Sequence, residues 1–323
     1  LKKSFNKFYS VKEMNDLEIC KLAMNIGIDI GIDFMTHATN GMENRFRVFT
    51  RRCAPIQINF LGYPGTSGSK YLDYIILDNK LLCEENKDCF SEKMIILPDT
   101  YQPNEDQKKV NDKVITKSDF NLPSSDFVFG CFNSHQKIMP NIFKVWMNIL
   151  KRKDKSVLWL LSDNKISEKN LKLYAEKNKI NPNRLIFTDH LPLDQHLSRL
   201  NLVDLVLDTF PYNAHTSCSD SLRMGVPLLT LRGKSFASRV ASSLLTTINL
   251  QELITDNLED YEKMAIKISN DSKLLAQLKN KIFENKKNCN LFKSQIYIDN
   301  IEKSYKKVYQ NYIEGLKPQN FKL

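Results

Sequence analysis

The sequence lacks the cysteine spacing of a metal site or of a disulfide-stabilised domain. Its seven cysteines are spread along the 323 residues, and no two of them form a C-x-x-C pair. Paired cysteines at short spacing are the usual mark of zinc sites, and dense cysteines are the mark of small secreted domains. The pattern therefore predicts neither, and we expect a reducing, cytoplasmic setting.

Long apolar runs are also missing. None approaches the roughly 20 residues that a membrane-spanning helix needs, and the opening segment LKKSFNKFYS has no apolar core of the kind found in signal peptides. No helical repeat of the tetratricopeptide kind is detectable. Since the first residue is Leu and not Met, we expect the chain to be a piece of a longer protein.

Acidic residues are too few to balance the basic ones, which leaves a formal net charge of +10. The excess is mostly lysine scattered along the chain, as in KNLKLYAEKNK, and no stretch interleaves basic with aromatic residues as single-strand binders do. A solvated lysine-rich surface is the favoured interpretation, and we expect no nucleic-acid partner. A nucleic-acid-binding protein remains an alternative that rests on charge alone.

The apolar residues that are present form strand-like and helix-like segments in alternation. The length suggests two domains, which we place at 1–120 and 121–323, with a polar linker-like stretch at 99–125. Strands are predicted at 26–34, 55–63, 73–78, 94–98, 127–132, 156–162, 184–190, 202–208 and 226–231. Helices are predicted at 141–152, 166–179, 193–200, 216–224 and 236–245, and in the C-terminal 65 residues or so. This alternation is typical of an α/β fold with parallel sheets covered on both faces.

In such sheets ligands bind beyond the carboxyl ends of the strands, and the stretch LVLDTFPYNAHTSCSDSLRMGVPLLT (205–230) lies at such an end. A helix beginning near Thr216 presents unpaired amides and the positive end of its dipole, which suits a diphosphate. Thr216 and Ser217 add hydroxyl donors, His215 could donate to a phosphate or sugar oxygen, and Asp220 could accept from a ribose hydroxyl. The alternative is that Thr216 or Ser217 only caps the helix.

Two other strand ends carry candidates of the same kind. Lys137 follows strand 127–132 and could neutralise charge on a departing phosphate, although a solvated surface lysine is the alternative. His196 and Arg199 are three residues apart and share a helix face, where a ring and a guanidinium could flank a planar base. An ordinary surface histidine is the alternative for His196.

The stretch LGYPGTSG (61–68) has three glycines after a strand and could let the backbone approach a ligand closely. No Gly-Lys-Ser/Thr follows, so it is not a Walker A loop. A plain tight turn is the alternative.

Four segments taken together, APIQINFLGYPGTSG, SVLWLL, DTFPYNAHTSCSDSLRMGVPLLTL and FASRVASSLL, resemble the catalytic region of the O-linked N-acetylglucosamine transferase family, including its bacterial tetratricopeptide-linked members. The resemblance implies a GT-B fold of two Rossmann-like lobes facing a cleft, with the first lobe truncated at its N-terminus. It further implies a metal-independent, inverting glycosyltransferase that moves N-acetylglucosamine from UDP-GlcNAc to Ser or Thr hydroxyls of proteins, without a cofactor, and a fusion to tetratricopeptide repeats.

The resemblance also assigns roles to residues. Lys137 matches the lysine that neutralises the diphosphate, and His215 belongs with it among the catalytic candidates. The remaining matches surround the nucleotide and its sugar: Leu61 and Gly62 beside the sugar, Ser134 where the animal enzymes have Gln, Leu191 and Leu193 near the uracil (a lysine in animal enzymes stands at the second), His196 and Arg199 flanking the base, Thr216 and Ser217 at the diphosphate, and Asp220 at the ribose.

Two alternatives stay open beside this function. A related transferase could use another sugar nucleotide, which residues 191–199 would decide. A non-catalytic UDP-sugar-binding module is also possible, since Lys7 stands where the family has a histidine and the front of the first lobe is missing. The truncation would leave a sheet edge or an apolar face of that lobe open.

Overall fold

The computed structural model describes residues 2–37, 44–111 and 115–323. The chain divides into two compact units: a first unit of Leu1–Asn79, Glu84–Gln102 and Tyr297–Leu323, and a second unit of Lys80–Cys83 and Pro103–Ile296. The predicted boundary at residue 120 therefore differs from this division, in which residues 103–120 cluster with the second unit and 297–323 with the first. Three residues of the linker-like stretch, 112–114, lie outside the described residues.

The first unit is built on a five-stranded sheet with the order β1-β2-β3-β4-β11, in which every neighbouring pair is parallel. Its strands are β1 (Ile30–Asp33), β2 (Ile56–Asn59), β3 (Tyr74–Asp78), β4 (Lys93–Leu97) and β11 (Phe321–Lys322). Its helices are α1 (Asp16–Asn25), α2 (Arg47–Thr50) and most of α10 (Ser294–Ile313). Helix α1 begins at a capping box formed by Asn15 and Glu18.

Helix α10 belongs with the first sheet because its apolar face packs there. Val308 is buried in the same core cluster as Ile58 and Ile76, with Tyr297 and Tyr305 packed at its margin. After the helix the chain adds β11 to the open side of β4. The sequence placed these terminal residues with the second domain, because nothing in local periodicity tells a helix which sheet it will cover.

The second unit is built on a six-stranded sheet with the order β10-β9-β8-β5-β6-β7, again with parallel neighbours. Its strands are β5 (Phe127–Cys131), β6 (Ser156–Leu161), β7 (Leu185–Thr188), β8 (Leu205–Leu207), β9 (Leu228–Leu231) and β10 (Ile254–Thr255). Its helices are α3 (Pro140–Arg152), α4 (Lys165–Lys177), α5 (Leu193–Leu200), α6 (Thr216–Arg223), α7 (Val240–Thr247), α8 (Leu258–Asn270) and α9 (Ser272–Asn288).

Burial explains why these segments form a doubly covered parallel sheet. All six residues of β6 are buried, as continuous apolar runs in such sheets require. Helix α3 starts at Pro140, whose ring suits the first turn. The predicted α/β class and the predicted order of the elements in this unit are confirmed. The sequence analysis missed α1, although its capping box is a local signal. It also missed α2 and the two-residue strands β10 and β11, which are too short to show a period.

The strand order places a switch point between β5 and β8. From β5 the chain runs outward to β6 and β7, then returns to the other side of β5 and runs outward again through β8, β9 and β10. Open α/β sheets bind ligands beyond the carboxyl ends of the strands that flank such a switch point, which are β5 and β8 here. Among the described residues, no helix has the length and apolarity to cross a bilayer.

Candidate functional site

The loops that follow β5 and β8 are joined by side-chain hydrogen bonds at the switch point. The amide of Asn133 donates to Thr209 Oγ1 at 3.0 Å, and its carbonyl oxygen accepts from Ser217 Oγ at 2.8 Å. Asn133 follows β5, Thr209 follows β8, and Ser217 lies in the first turn of α6. This single buried amide therefore aligns the two loops and the start of the helix.

Asp208 organises the loop after β8 from inside the protein. Its Oδ1 accepts from the amides of Thr209 at 2.7 Å and Ala214 at 2.6 Å, and its Oδ2 accepts from Thr230 Oγ1 at 2.6 Å. The side chain is fully buried, and burial raises its pKa to about 7 although these hydrogen bonds oppose the shift. Asp208 therefore fixes the conformation of the loop from Thr209 to Ala214 through these hydrogen bonds.

Lys137 lies at the end of a short 3₁₀ turn (His135–Lys137) after β5 and reaches the loop after β8. Its Nζ donates to the carbonyl of Asn213 at 3.3 Å and lies 4.0 Å from the centroid of the Tyr212 ring. Burial lowers the pKa of this ammonium group, and the charge of Asp208 acts in the opposite direction. A partly desolvated cation beside a neutral carbonyl and a ring is favourably placed to bind an anion.

His215 is the residue just before α6. Its ring is stacked on that of Tyr212, with centroids 4.9 Å apart and an angle of 26° between the planes. Burial, and secondly the charge of Lys137, lower its pKa to about 3, so the imidazole is neutral near pH 7. Its Nε2 lies 3.3 Å from the carbonyl of Ala237, which can only accept. The proton therefore lies on Nε2, and Nδ1 is an acceptor, whereas the sequence argument expected a donor.

Helix α6 begins at Thr216, where the sequence predicted it. Thr216 is exposed and Ser217 is half-buried. Among the described residues, no side-chain oxygen caps this helix, because the N-cap position is occupied by His215 and Ser217 Oγ is engaged with Asn133. The capping alternative is therefore wrong. The first-turn amides keep their positive dipole end at the carboxyl edge of β8, beside Lys137.

His196 and Arg199 share a face of α5, as their spacing predicted, but they do different things. Arg199 is only 1% exposed, and its guanidinium carbon lies 4.6 Å from the centroid of the Phe132 ring. Its Nη1 donates to the carbonyl of Asp189 at 2.8 Å and its Nε to His196 Nδ1 at 3.0 Å. Arg199 therefore fixes the orientation of the His196 ring by this hydrogen bond.

The half-buried His196 is the member of this pair that remains available to a ligand. Burial, followed by the charge of Arg199, lowers its pKa to about 4. Because Nδ1 accepts from an arginine, the one proton of the neutral ring lies on Nε2, which is a donor. The ring also meets Phe132 edge to face, with centroids 5.4 Å apart. The rings of Phe132 and His196 thus lie next to each other, and the second ring carries one hydrogen-bond donor, Nε2.

The remaining candidates of the second unit lie around these groups. Ser134 is half-buried at the start of the 3₁₀ turn that carries Lys137. Leu191 is half-buried before α5, and Leu193, its first residue, is 50% exposed. Asp220 is buried in α6 and forms an ion pair with Lys108 at 2.6 Å. Asp220 is predicted from the sequence, whereas Lys108 is not.

Leu61 and Gly62 belong to the first unit, in the turn after β2. Leu61 has a positive φ of 77°. A Cβ on Gly62 would lie 1.7 Å from the backbone oxygen of Phe34. The close approach that the glycine permits is therefore to the loop after β1, and this turn packs against its own unit. Asn59 holds the far side of the turn by donating to the carbonyl of Gly65 at 3.0 Å.

We expect Gly62→Ala to destabilise the first unit by about 1–3 kcal/mol, the usual cost of overpacking, because the contact is with backbone that cannot rotate away. Gly65→Ala is the matched control, since its nearest neighbour is the movable ring of Tyr63 at 3.1 Å. Hydrogen exchange of the amides in β1 and β2 measures the effect locally. Equal protection in the two variants would contradict the packing argument.

Tertiary structure thus brings together Lys137, His215, Thr216 and Ser217 at the carboxyl ends of β5 and β8, with His196 and Asp220 on the helices α5 and α6. Sequence reasoning missed four contributors to this arrangement: Asn133, Asp208, Tyr212 and Lys108. For Asn133 and Asp208 a signal existed, because each is a polar residue next to the end of a buried strand. Tyr212 and Lys108 carry no local signal, since their roles depend on which rings and carboxylates the fold places next to them.

Comparison with known proteins adds an independent view. The model of glycosyl transferase family 41 matches residues 18–112 and 102–301. A probable UDP-N-acetylglucosamine–peptide N-acetylglucosaminyltransferase SEC of Arabidopsis thaliana is 35% identical over 98% of this chain, and the SPINDLY relative of Petunia hybrida is 29% identical over 89%. A mutant of the O-GlcNAc transferase of Thermobaculum terrenum superposes with a TM-score of 0.87 at 26% identity, covering 96% of this chain and 58% of that one.

More distant structures share the fold alone. A glycosyltransferase of Rickettsia africae superposes with a TM-score of 0.54 at 12% identity, over 96% of this chain and 84% of that one. Together with the two parallel sheets, these matches confirm the predicted GT-B fold class. The chain spans about a third of the length of the curated relatives it matches, 33% of SEC and 31% of the Petunia protein.

Proposed function

Because this chain belongs to glycosyl transferase family 41, we propose that it carries the catalytic region of an enzyme that transfers N-acetylglucosamine from UDP-GlcNAc to Ser or Thr hydroxyls of proteins. The observation that carries the proposal is the cluster of groups at the carboxyl ends of β5 and β8. There a partly desolvated Lys137 and the start of α6 direct positive charge to one place. The names of the SEC, SPINDLY and O-GlcNAc transferase relatives support the choice of sugar and acceptor.

The reaction places its largest new charge on the departing diphosphate. The acceptor oxygen attacks the anomeric carbon in line, the bond from that carbon to the β-phosphate oxygen breaks, and the hydroxyl proton passes to a base or to solvent. The configuration is inverted and UDP leaves with an additional negative charge. Lys137 and the first-turn amides of α6 stabilise this charge, which is how the transfer proceeds without a metal.

The neighbouring groups complete the donor site. Neutral His215 offers Nδ1 as an acceptor for a sugar hydroxyl or an amide. Thr216 adds a hydroxyl near the diphosphate, whereas the Ser217 hydroxyl donates to Asn133, so Ser217 contributes its backbone amide. His196, with its proton on Nε2, donates to an acceptor on the nucleobase. Asp220 accepts from the ribose. Ser134, Leu191 and Leu193 border the nucleotide.

Calorimetric titration of UDP and of GDP into the purified chain tests the donor site. We expect UDP to bind and GDP to bind at least tenfold more weakly, since a pocket that hydrogen-bonds one base leaves polar groups unpaired with another. Transfer of sugar from UDP-GlcNAc to a Ser/Thr peptide by the full-length protein tests catalysis. UDP binding without transfer would indicate a non-catalytic UDP-sugar-binding module, and preference for GDP would indicate another sugar nucleotide.

We further propose that the full-length protein is cytoplasmic and carries tetratricopeptide repeats that present the protein acceptor. Support for a reducing compartment comes from the thiols. Cys53 and Cys131 are buried, and burial raises their pKa values to about 11 and about 12. Such thiols pack as small apolar groups and need no oxidising environment.

A further inference from the structure

The segment 103–111 crosses the two helices that carry the nucleotide candidates. On the α6 side, the guanidinium of Arg223 donates to the carbonyl oxygens of Glu105 and of Asp106, the latter at 3.3 Å. On the α5 side, Asn111 donates to Asp194 Oδ2 at 3.1 Å and accepts from Ser198 Oγ at 3.1 Å. We call residues 105–111 the strap, which is thus attached to a different helix at each end.

Lys108 lies between these attachments and points inward. Its Nζ is 2.6 Å from Asp220 Oδ1, and the two side chains are 14% and 5% exposed. Its charge also contributes to the lowered pKa of His196. Lys108 is therefore near both the carboxylate proposed for the ribose and the imidazole proposed for the base. The next residue, Lys109, is exposed.

We propose that Lys108 is a positioning residue for the nucleoside: it holds the buried carboxylate of Asp220 in one orientation, so that this carboxylate accepts from the ribose hydroxyls. The inference rests on the proposed function of the site and adds a residue to it. A carboxylate that has lost water needs a partner, and Lys108 is that partner while the second oxygen remains an acceptor. The attachments of the strap keep the lysine from swinging away, so the pair is preorganised before UDP arrives.

A competing possibility makes the opposite prediction. If the Lys108–Asp220 ion pair instead occupies the place of the ribose, UDP must break this ion pair in order to bind. Removing Lys108 would then increase the affinity for UDP. If instead the ammonium group contacts the diphosphate directly, removing it would weaken binding regardless of the ribose. The ribose hydroxyls themselves are therefore the right probe to separate these cases.

The test titrates UDP and 2′,3′-dideoxy-UDP into the chain and its Lys108→Met, Lys108→Arg and Lys109→Met variants. We expect Lys108→Met to weaken UDP about tenfold, as for a hydrogen bond to a charged group, and to leave dideoxy-UDP within twofold of the parent chain. Lys108→Arg should recover most of the loss, and Lys109→Met should show none. Asp220→Asn should remove the sensitivity to Lys108→Met.

Each other outcome overturns something specific. Equal weakening of UDP and dideoxy-UDP, or unchanged or tighter UDP binding by Lys108→Met, would overturn the positioning role while the proposed function stands. Failure of the parent chain to bind UDP would instead overturn the proposed donor site. Tryptophan fluorescence shows whether a variant is folded, because both tryptophans of the chain, Trp146 and Trp159, are buried in the second unit.

Discussion

Lys137→Ala is expected to reduce sugar transfer by the full-length protein about 100- to 1,000-fold, the usual effect of removing one group that stabilises transition-state charge. The ammonium group is partly desolvated and lies against the Asn213 carbonyl and the Tyr212 ring. In that position its interaction with an anion is stronger than in water. Steady-state transfer to a Ser/Thr peptide measures the effect.

Binding and turnover should respond differently to this change. The charge on the diphosphate grows as the bond to the sugar breaks, so the loss should appear mainly in kcat and less in the affinity for UDP-GlcNAc. Lys144→Ala is the matched control, since Lys144 is an exposed lysine of helix α3, which follows the turn that carries Lys137. Full activity of Lys137→Ala, or an equal loss in Lys144→Ala, would show that Lys137 does not carry the role proposed for it.

Asp208→Ala is expected to lower the free energy of unfolding of the second unit by about 3–5 kcal/mol, the range for breaking a buried, hydrogen-bonded charge network. The amides of Thr209 and Ala214 and the hydroxyl of Thr230 would all lose their acceptor. Asp208→Asn keeps an acceptor for the amides and should cost less than half as much. Urea unfolding followed by tryptophan fluorescence reports on this unit.

The same carboxylate should make stability depend on pH. Burial raises the pKa of Asp208 from 3.8 to about 7, so between these values the folded protein holds a proton that the unfolded chain releases. The contribution of Asp208 to the unfolding free energy therefore falls as the pH rises from about 4 to 7, by at most about 1.4 kcal/mol per pH unit. That slope should be missing in Asp208→Asn. An identical pH profile for the two proteins would contradict a raised pKa.

Local sequence pattern predicted most elements of the second unit because they depend on short-range periodicity. Helix α5 was placed at 193–200 and lies at Leu193–Leu200, and α6 begins at Thr216 as expected. Parallel strands buried on both faces leave continuous apolar runs such as SVLWLL, which need no knowledge of their neighbours to be recognised. Elements that exist only through pairing, such as β11 on β4, were beyond such reasoning.

The candidate site divides in the same way. Its main members stand at strand ends in the sequence, and the rule that parallel sheets bind ligands at their carboxyl edge was enough to select Lys137 and the stretch from His215 to Asp220. The chemistry of those members was not accessible, because the position of a proton on His215 depends on the carbonyl of Ala237. In the same way, the burial of Arg199 depends on its tertiary contacts with the Phe132 ring and the Asp189 carbonyl.

By itself, the sequence determined the α/β class, the order of the elements and the residue types at the strand ends, because these follow from side-chain periodicity and from the geometry of parallel strands. Only the tertiary structure decided which sheet helix α10 covers, which histidine nitrogen is the donor, and that Lys108, one of 47 basic residues, pairs with Asp220. The pairing of Lys108 joins residues 112 positions apart, and the donor nitrogen of His215 depends on a carbonyl 22 positions away. No local pattern records such contacts.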